Sequence, residues 1–501
     1  MDTSTWQLAA IVLYFAMMVA IGFWSMTRTT DKGDYMLGGR GLGPIASALS
    51  AGAADMSGWL LMGLPGALYA SGLVELWIAI GLTVGAWVNW KFVAPRLRSY
   101  TEVADDSITV PSFFSARTDD EKGLLRITAG IIILIFFTFY VSSGMVAGGR
   151  FFQASFGTSY LTGMLIVSSV VILYTLVGGF LAVSYTDVVQ GLMMAAALVI
   201  VPIVGMIHLG GPGETVDAIK SVDPHVLTMV GGGLTAMGLV SSLAWGLGYF
   251  GQPHIITRFM ALRTPHEAVA ARRIGIGWMA LACLGAAATA LVGIGVYQRD
   301  AAKLADPETV FIDLGMLLFH PFIAGLMLAA ILAAIMSTIS SQLIVSSSAL
   351  VEDIYLGVTG KELHGTAGAN VGRAAVLVIA VIAGLLSLKP SDTILELVAF
   401  AWAGFGAAFG PIVLLSLYWR RLTTAGALAG MVTGAAVAFV WGRFLEGGVF
   451  ELYEIVPGFV LNLVVAVVVS LVTPEPGPEV RAEFDEAVRR TKREQAAIAG
   501  L

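Results

Sequence analysis

What most constrains this chain is the recurrence of apolar runs roughly 20 residues long, separated by short segments that hold nearly all of its charge. A hydrocarbon core near 30 Å, crossed at about 1.5 Å per residue, needs roughly 20 apolar residues. Inside it every backbone N–H and C=O must be satisfied within the segment, so each run reads as a helix. About thirteen runs fit: 5-26, 42-64, 68-90, 124-149, 160-182, 188-208, 231-256, 274-296, 315-348, 372-387, 393-417, 423-442 and 456-473. The stretch 315-348 is long for one crossing and is expected to hold an outer-loop helix before the ninth span. The predicted class is an all-α membrane protein of about 13 transmembrane helices.

Of the 501 residues only 12% are charged, against roughly 25% in an ordinary soluble domain, which leaves almost no sequence for a soluble domain. The N-terminus runs from Met1-Asp2-Thr3-Ser4-Thr5-Trp6 straight into an apolar segment, without a charged n-region or small-residue cleavage site, and reads as a retained first helix. Cys283 is the only cysteine, which rules out an internal disulfide and argues against a thiol-ligated metal centre. The six histidines (His208, His225, His254, His266, His320 and His364) lack metal-ligand spacing. No Walker-type loop is present, and the tail from Pro474 is too short for a core, so no kinase or nucleotide-binding domain is expected. No enzyme chemistry or nucleic-acid partner is expected. Active transport would draw on an ion gradient, which leaves secondary transport or a channel.

Net charge of −6 says little about partners; the division of Lys and Arg between loops says more. Positions 28–40, 91–126, 258–273, 361–373, 420–421 and 481–493 hold one group, and Arg150, Lys220, Arg299, Lys303, Lys389 and Arg443 the other. By the positive-inside rule the first group is cytoplasmic. The N-terminus is then outside, the C-terminus inside, and the number of spans odd. The expected location is the plasma membrane, as in a bacterial inner membrane.

One carboxylate, Asp55, interrupts the uncharged stretch 44–63. At the centre of a membrane helix it costs about 2.5 to 3.5 kcal/mol, so something nearby must use it: a cation, a broken backbone, or both. It could also cap a second half-helix by accepting from the amides of Ser57 or Gly58. Span 2 is interrupted at Ala54-Asp55-Met56-Ser57-Gly58 and span 7, five spans later, at Trp245-Gly246-Leu247-Gly248-Tyr249-Phe250-Gly251-Gln252-Pro253. Two broken helices in corresponding positions point to a midplane binding site in an inverted-repeat transporter. The expected division is 1-41 (first helix and cytoplasmic loop), 42-210 (first repeat), 211-421 (second repeat), 422-473 (two further spans) and 474-501 (tail).

In span 9, Ser337 and Thr338 lie about one turn from Ala334, so two hydroxyls and a carbonyl can face one point. Carbonyls freed near Ala53 and Met56 would complete a cage of hard oxygens for Na⁺. The competing reading is that these hydroxyls only bond their own i−4 carbonyls or glue neighbouring helices. Trp245 and Tyr249, four apart, share a helical face until the glycines interrupt it, and aromatic faces suit a small ring with a protonated amine. Plain packing or interfacial anchoring is the alternative. Asp187, after Ser184-Tyr185-Thr186, reads as a cap opening span 6. Arg40 after Gly38-Gly39 reads as part of the positive-inside bias. The small-residue face 426–434 suits packing within the chain or a dimer contact.

The segments 51–66, Trp245 to His254 and Ala334-Ile335-Met336-Ser337-Thr338 resemble the sodium/solute symporter family, most of all its proline-carrying members, and the likeness runs over nearly the whole membrane region. The resemblance implies a leucine-transporter-like fold with spans 2-6 and 7-11 as inverted repeats. It implies Na⁺ held by the carbonyls of Ala53, Met56 and Ala334 and the hydroxyls of Ser337 and Thr338. Asp55 matches a position needed for tight Na⁺ binding, and Asp187 and Arg40 positions linked to Na⁺ movement and coupling. Ser57 and Gly58 would border the L-proline site, and Tyr140, Trp245, Tyr249 and Pro253 would shape it. Ala54 and Thr257 depart from the family pattern, which bears on affinity rather than function.

The implied activity is Na⁺-coupled uptake of L-proline by alternating access, with Na⁺ binding first. One charge at roughly 100 mV contributes about 2.3 kcal/mol and a tenfold Na⁺ gradient about 1.4 more, enough for accumulation of roughly several hundred-fold. A symporter of another small solute, such as another amino acid, pantothenate or a sugar, would keep the cation cage and change the lining near Ser57 and Trp245. A Na⁺ channel would pass current without solute. The sequence leaves the oligomeric state open.

Overall fold

The computed structural model describes residues 3–26, 36–230, 234–361, 365–390 and 392–499; Arg28, Lys32 and His364 lie outside these. Among the described residues the architecture is all-helical, and the one extended pairing is a parallel bridge between Leu42 and Leu262. Helix α1 (Thr3–Met26) precedes a broken pair, α2 (Pro44–Gly58) and α3 (Leu64–Ser71), joined by a π turn. Another π turn joins α4 (Leu76–Val88) to α5 (Ala94–Val103), and the short α6 (Val110–Thr118) follows. The first half closes with α7 (Leu124–Phe156) and α8 (Tyr160–His208).

After α9 (Pro212–Val222) comes a second broken pair, α10 (Ala236–Ala244) and α11 (Pro253–Met260), and then α12 (Glu267–Tyr297). The stretch 315-348 divides into the end of a short α13 (Val310–Leu318) and a long α14 (Pro321–Ser348), each started by its own proline or loop residues. The chain ends with α15 (Gly365–Leu386), α16 (Ile394–Tyr418), α17 (Thr424–Phe444), α18 (Ile455–Val472) and α19 (Pro478–Ala499).

Nine helical segments among the described residues are long and apolar enough to cross a bilayer, and three shorter apolar helices accompany them. Breaks divide apolar runs into pieces too short to qualify, as in 160–176 and 236–250. The boundary expected between 182 and 188 is displaced: the chain breaks at Gly179 (φ 60°, ψ −163°), where no Cβ resists a positive φ, and residues 184 to 187 are helical.

The buried centre is α14, in which every residue from Met327 to Ser348 is buried, packed against α1, α2, α7 and α8. Outward faces of α1, α15, α17 and α18 carry exposed Val, Leu and Phe such as Leu13, Leu385, Phe444 and Val472. A polytopic chain with an apolar belt of this kind is a multi-pass membrane protein. The glycine face of α17 is turned inward. A Cβ on Gly434 would lie 2.1 Å from the Ala407 carbonyl, and one on Gly430 2.4 Å from Asn462 Oδ1. Gly430 and Gly434 are thus committed to packing within the chain.

Candidate site at two broken helices

Ser57 has φ 48° and ψ −165°, far from helical values, and interrupts the ladder of the first broken helix between α2 and the turn that follows. Such a backbone costs about 1 to 3 kcal/mol and frees carbonyls upstream. The Trp59 amide restores part of the loss by donating to the Met56 carbonyl and, at 3.2 Å, to Ser57 Oγ.

Against this break lies the middle of α14. Ser337 Oγ donates to the Ala53 carbonyl at 2.7 Å and lies 3.1 Å from the Ala334 carbonyl; Thr338 Oγ1 donates to the same Ala334 oxygen at 3.2 Å. Four of the five oxygens expected to face a cation therefore meet at one buried α2–α14 contact. The fifth, of Met56, is engaged by Trp59. Bonds within a single helix would account for Thr338, but not for the reach of Ser337 across to α2. Four hard oxygens without a carboxylate suit a monovalent cation better than a divalent one. Among the described residues no group of three or more His, Cys, Asp or Glu side chains is placed to hold a metal ion.

The Asp55 carboxylate does not cap the following half-helix. Its Oδ2 accepts a short hydrogen bond from the Tyr249 hydroxyl, while the Tyr140 hydroxyl donates to the Asp55 carbonyl at 3.4 Å. Two tyrosines from α7 and the second broken helix thus grip one residue of the first. Asp55, Met56, Tyr249 and Met279 line a narrow pocket beside this junction.

The second break is a tight 3₁₀ stretch, Trp245–Phe250. At about three residues per turn, residues four apart point in different directions, so Trp245 and Tyr249 do not share a face. Tyr249 turns to Asp55 and meets Trp402 edge-on (5.1 Å); Trp245 lies 6.0 Å from Trp59 and stacks on Tyr453 (5.4 Å). Side chains satisfy the exposed backbone: Trp402 Nε1 donates to the Trp245 carbonyl (2.8 Å) and Asn89 Nδ2 to that of Tyr249 (2.8 Å). Gly248 is required by this contact, since its Cβ would fall 1.9 Å from Trp402 Nε1.

Gly58 packs where a Cβ would come within 2.9 Å of Ala147 and 3.4 Å of Ile335, tying the break to α7 and α14. Pro253 heads α11 and, with Thr257 and Asp353, lines a separate small cavity; it does not join the Asp55–Tyr249–Tyr140 junction.

Asp187 is no helix cap. It lies within α8, wholly buried, where Oδ2 accepts from Ser50 Oγ (2.7 Å) and Arg258 Nη2 (3.2 Å). Arg258, counted in the sequence among loop charges, is equally buried and also donates to Ser341 Oγ (2.6 Å), Ser50 Oγ (3.0 Å) and the His254 carbonyl (2.6 Å). One ion pair therefore links α2, α8, α11 and α14. A fully buried carboxylate needs such a cation, and that requirement is the signal by which sequence reasoning could have found Arg258. His254 was also missed: its ring packs edge-on against Phe137 (5.4 Å) and Tyr140 (5.9 Å).

Arg40 does more than bias the loop charge. It pairs with Asp106 (2.8 Å), donates to Thr101 Oγ1 (3.0 Å) and reaches the Met260 carbonyl at the end of α11 (2.9 Å). Burial, with the Arg98 guanidinium nearby, holds Arg40 below the ordinary arginine range. The Leu42–Leu262 bridge runs beside it. On the opposite face Glu308 accepts from Arg150 and from the Ile394 amide (2.9 Å) at the start of α16, so a loop clasps two helices there.

The sequence pattern of the sodium:solute symporter family matches residues 35–434. The chain belongs to that family. It is 54% identical over 470 residues to the high-affinity proline transporter PutP of Bacillus subtilis, covering 94% of this chain and 98% of that one. The osmoregulated proline transporter OpuE of the same organism is 53% identical (93% and 94% covered), and a sodium/proline symporter of Staphylococcus aureus 49% (98% of both). Among solved structures, a Na⁺-coupled sialic acid symporter in a substrate-bound outward-open state superposes with TM-score 0.80 at 19% identity, covering 95% of this chain and 100% of that one. The nucleobase-cation-symport-1 transporter Mhp1 superposes with TM-score 0.54 at 14% identity, covering 92% and 99%. At these identities the likeness shows the fold alone, which is of the leucine-transporter type. This symporter is a transporter rather than an enzyme, and Na⁺ is its co-transported ion.

Proposed function

We propose that this protein takes up L-proline by alternating access, driven by Na⁺ entry with one ion per proline. The observation that carries the ion site is the reach of Ser337 Oγ to the Ala53 carbonyl across α2 and α14. When Na⁺ enters, the Ser337 hydroxyl turns its oxygen toward the ion, and the carbonyls of Ala53 and Ala334, with Thr338 Oγ1, complete the inner ligands; the Met56 carbonyl joins if the Trp59 amide lets go. The ion then fastens α14 to the broken helix. That contact orders Asp55, and with it Tyr249 and Tyr140, around the space where proline binds. The substrate carboxylate lies near amides of the half-helix that follows Ser57 and Gly58, favoured by the helix dipole, with the ring against Trp245 and Tyr249. Pro253 shapes the site indirectly, by ending the 3₁₀ stretch.

Mutual tightening by a factor of about a hundred requires about 2.7 kcal/mol of coupling. Asp187 and Arg40 act in ion release and coupling through the contacts they make with α11. In this reading 42-210 and 211-421 are inverted repeats. Four interrupted or shorter segments, in 44–71, 160–176, 236–260 and 365–386, join the nine long spans to make thirteen crossings. The N-terminus is outside and the C-terminus inside the plasma membrane.

The test is uptake of radiolabelled L-proline into proteoliposomes with and without an inward Na⁺ gradient. Uptake should require the gradient and collapse in Asp55→Asn. Na⁺-driven uptake of a different small solute, with none of proline, would move the substrate assignment to that solute.

A further inference from the structure

On the face that carries Arg40, a cavity of about 460 Å³ opens between α5, the start of α12, the end of α16 and α19. Lys91, Arg96, Arg272 and Lys492 line it, and no acidic residue does. Among the described residues none of these four makes an ion pair, and the Nε of Arg96 is buried without a hydrogen-bond partner. Three of the cations rest on aromatic faces: Lys91 lies 4.5 Å from the Trp87 ring, Arg272 6.0 Å from the same ring, and Arg96 4.2 Å from Tyr418. Elsewhere on this face arginines are paired with acids, as Arg420 is with Asp485 and Arg490 with Glu102. Four cations without an acidic partner around one open cavity make a site for an anion.

Its surroundings say which anion. Phe92 and Tyr418 line the cavity and Trp87 lies under Lys91 and Arg272; all three are exposed, as is Val84 one turn before Trp87 on α4. They form an apolar and aromatic ramp running from the hydrocarbon belt to the cations, in the manner of side chains that settle at the membrane–water boundary. A water-soluble phosphate would find the charges without needing the ramp. A phospholipid uses both, with its headgroup phosphate among Lys91, Arg96 and Arg272 and an acyl chain along Val84 and Trp87. We infer that this cavity binds the headgroup of an anionic glycerophospholipid such as phosphatidylglycerol. The lipid bridges the inner end of α4 to α12 and to the C-terminal helix, so it fastens elements that must separate when this face opens.

Native mass spectrometry of the purified full-length protein, titrated with phosphatidylglycerol, phosphatidylethanolamine or sn-glycerol 3-phosphate, tests the inference. Wild type should retain phosphatidylglycerol at about tenfold lower concentration than phosphatidylethanolamine, with little retention of glycerol 3-phosphate. The triple variant Lys91→Gln, Arg96→Gln, Arg272→Gln should lose that preference. Lys91→Arg with Arg272→Lys should keep it, which separates lost charge from lost fold. An unchanged preference in the neutral triple variant would overturn the inference. So would loss in the charge-conserving variant, or binding of glycerol 3-phosphate as strong as that of the lipid, which would assign the cavity to a free phosphate.

Discussion

The Tyr249 hydroxyl and the Asp55 carboxylate join the two broken helices through one hydrogen bond. Tyr249→Phe keeps the ring against Trp402 and removes only that bond. The Na⁺ concentration for half-maximal proline uptake should rise about tenfold, equivalent to about 1.4 kcal/mol, with melting temperature nearly unchanged. Gly248→Ala should behave oppositely, because its Cβ would collide with the Trp402 indole, and the variant should fail to accumulate as a monodisperse protein in size-exclusion chromatography. Asp55 was legible in the sequence because a lone carboxylate among apolar residues is costly wherever it sits. Its partner was not, since Tyr249 was read with Trp245 as sharing one helical face up to the glycines. The 3₁₀ tightening that turns Trp245 and Tyr249 apart depends on the fit of α16 against Gly248 and Gly251, which is a tertiary fact.

Between elements the Asp187–Arg258 ion pair is wholly buried. Removing one member of such a pair strands the other and costs about 3 to 5 kcal/mol. Asp187→Asn should therefore lower the melting temperature clearly, and Asp187→Asn with Arg258→Gln should recover most of the loss while leaving transport impaired. Differential scanning fluorimetry beside uptake separates the two effects. The docking of α19 rests on Arg490, which pairs with Glu102 on α5. Hydrogen exchange of residues 478–494 should accelerate in Glu102→Gln. Reading Asp187 as a cap failed because local spacing favoured a helix start, whereas α8 runs on through it after breaking at Gly179.

For the whole molecule, the two faces are held by different contacts. One is bound by Arg40 and the Leu42–Leu262 bridge, the other by the clasp of Glu308 on Arg150 and the start of α16. An alternating-access transporter must open one while the other holds. Long apolar runs made the membrane class and the course of most helices legible, and the two interrupted segments are where the structure breaks its helices. The number of qualifying spans was less legible, because broken helices divide a run without changing its hydropathy. The contacts at either face were not legible, since Arg40 and Met260, or Arg150 and Glu308, are far apart in the chain and meet only through the packing of helices.

The central claim is that Ser337 and Thr338 tie α14 to the carbonyls of α2 around one Na⁺ and thereby create the proline site. Equilibrium binding of radiolabelled L-proline to purified protein, measured as a function of Na⁺ concentration, tests it most directly. Wild type should gain about a hundredfold in proline affinity on saturation with Na⁺. Ser337→Ala with Thr338→Ala should abolish most of that gain while leaving the weak binding without Na⁺ intact. A double variant that still tightens on proline with Na⁺ as strongly as wild type would place the coupling ion elsewhere and contradict the account.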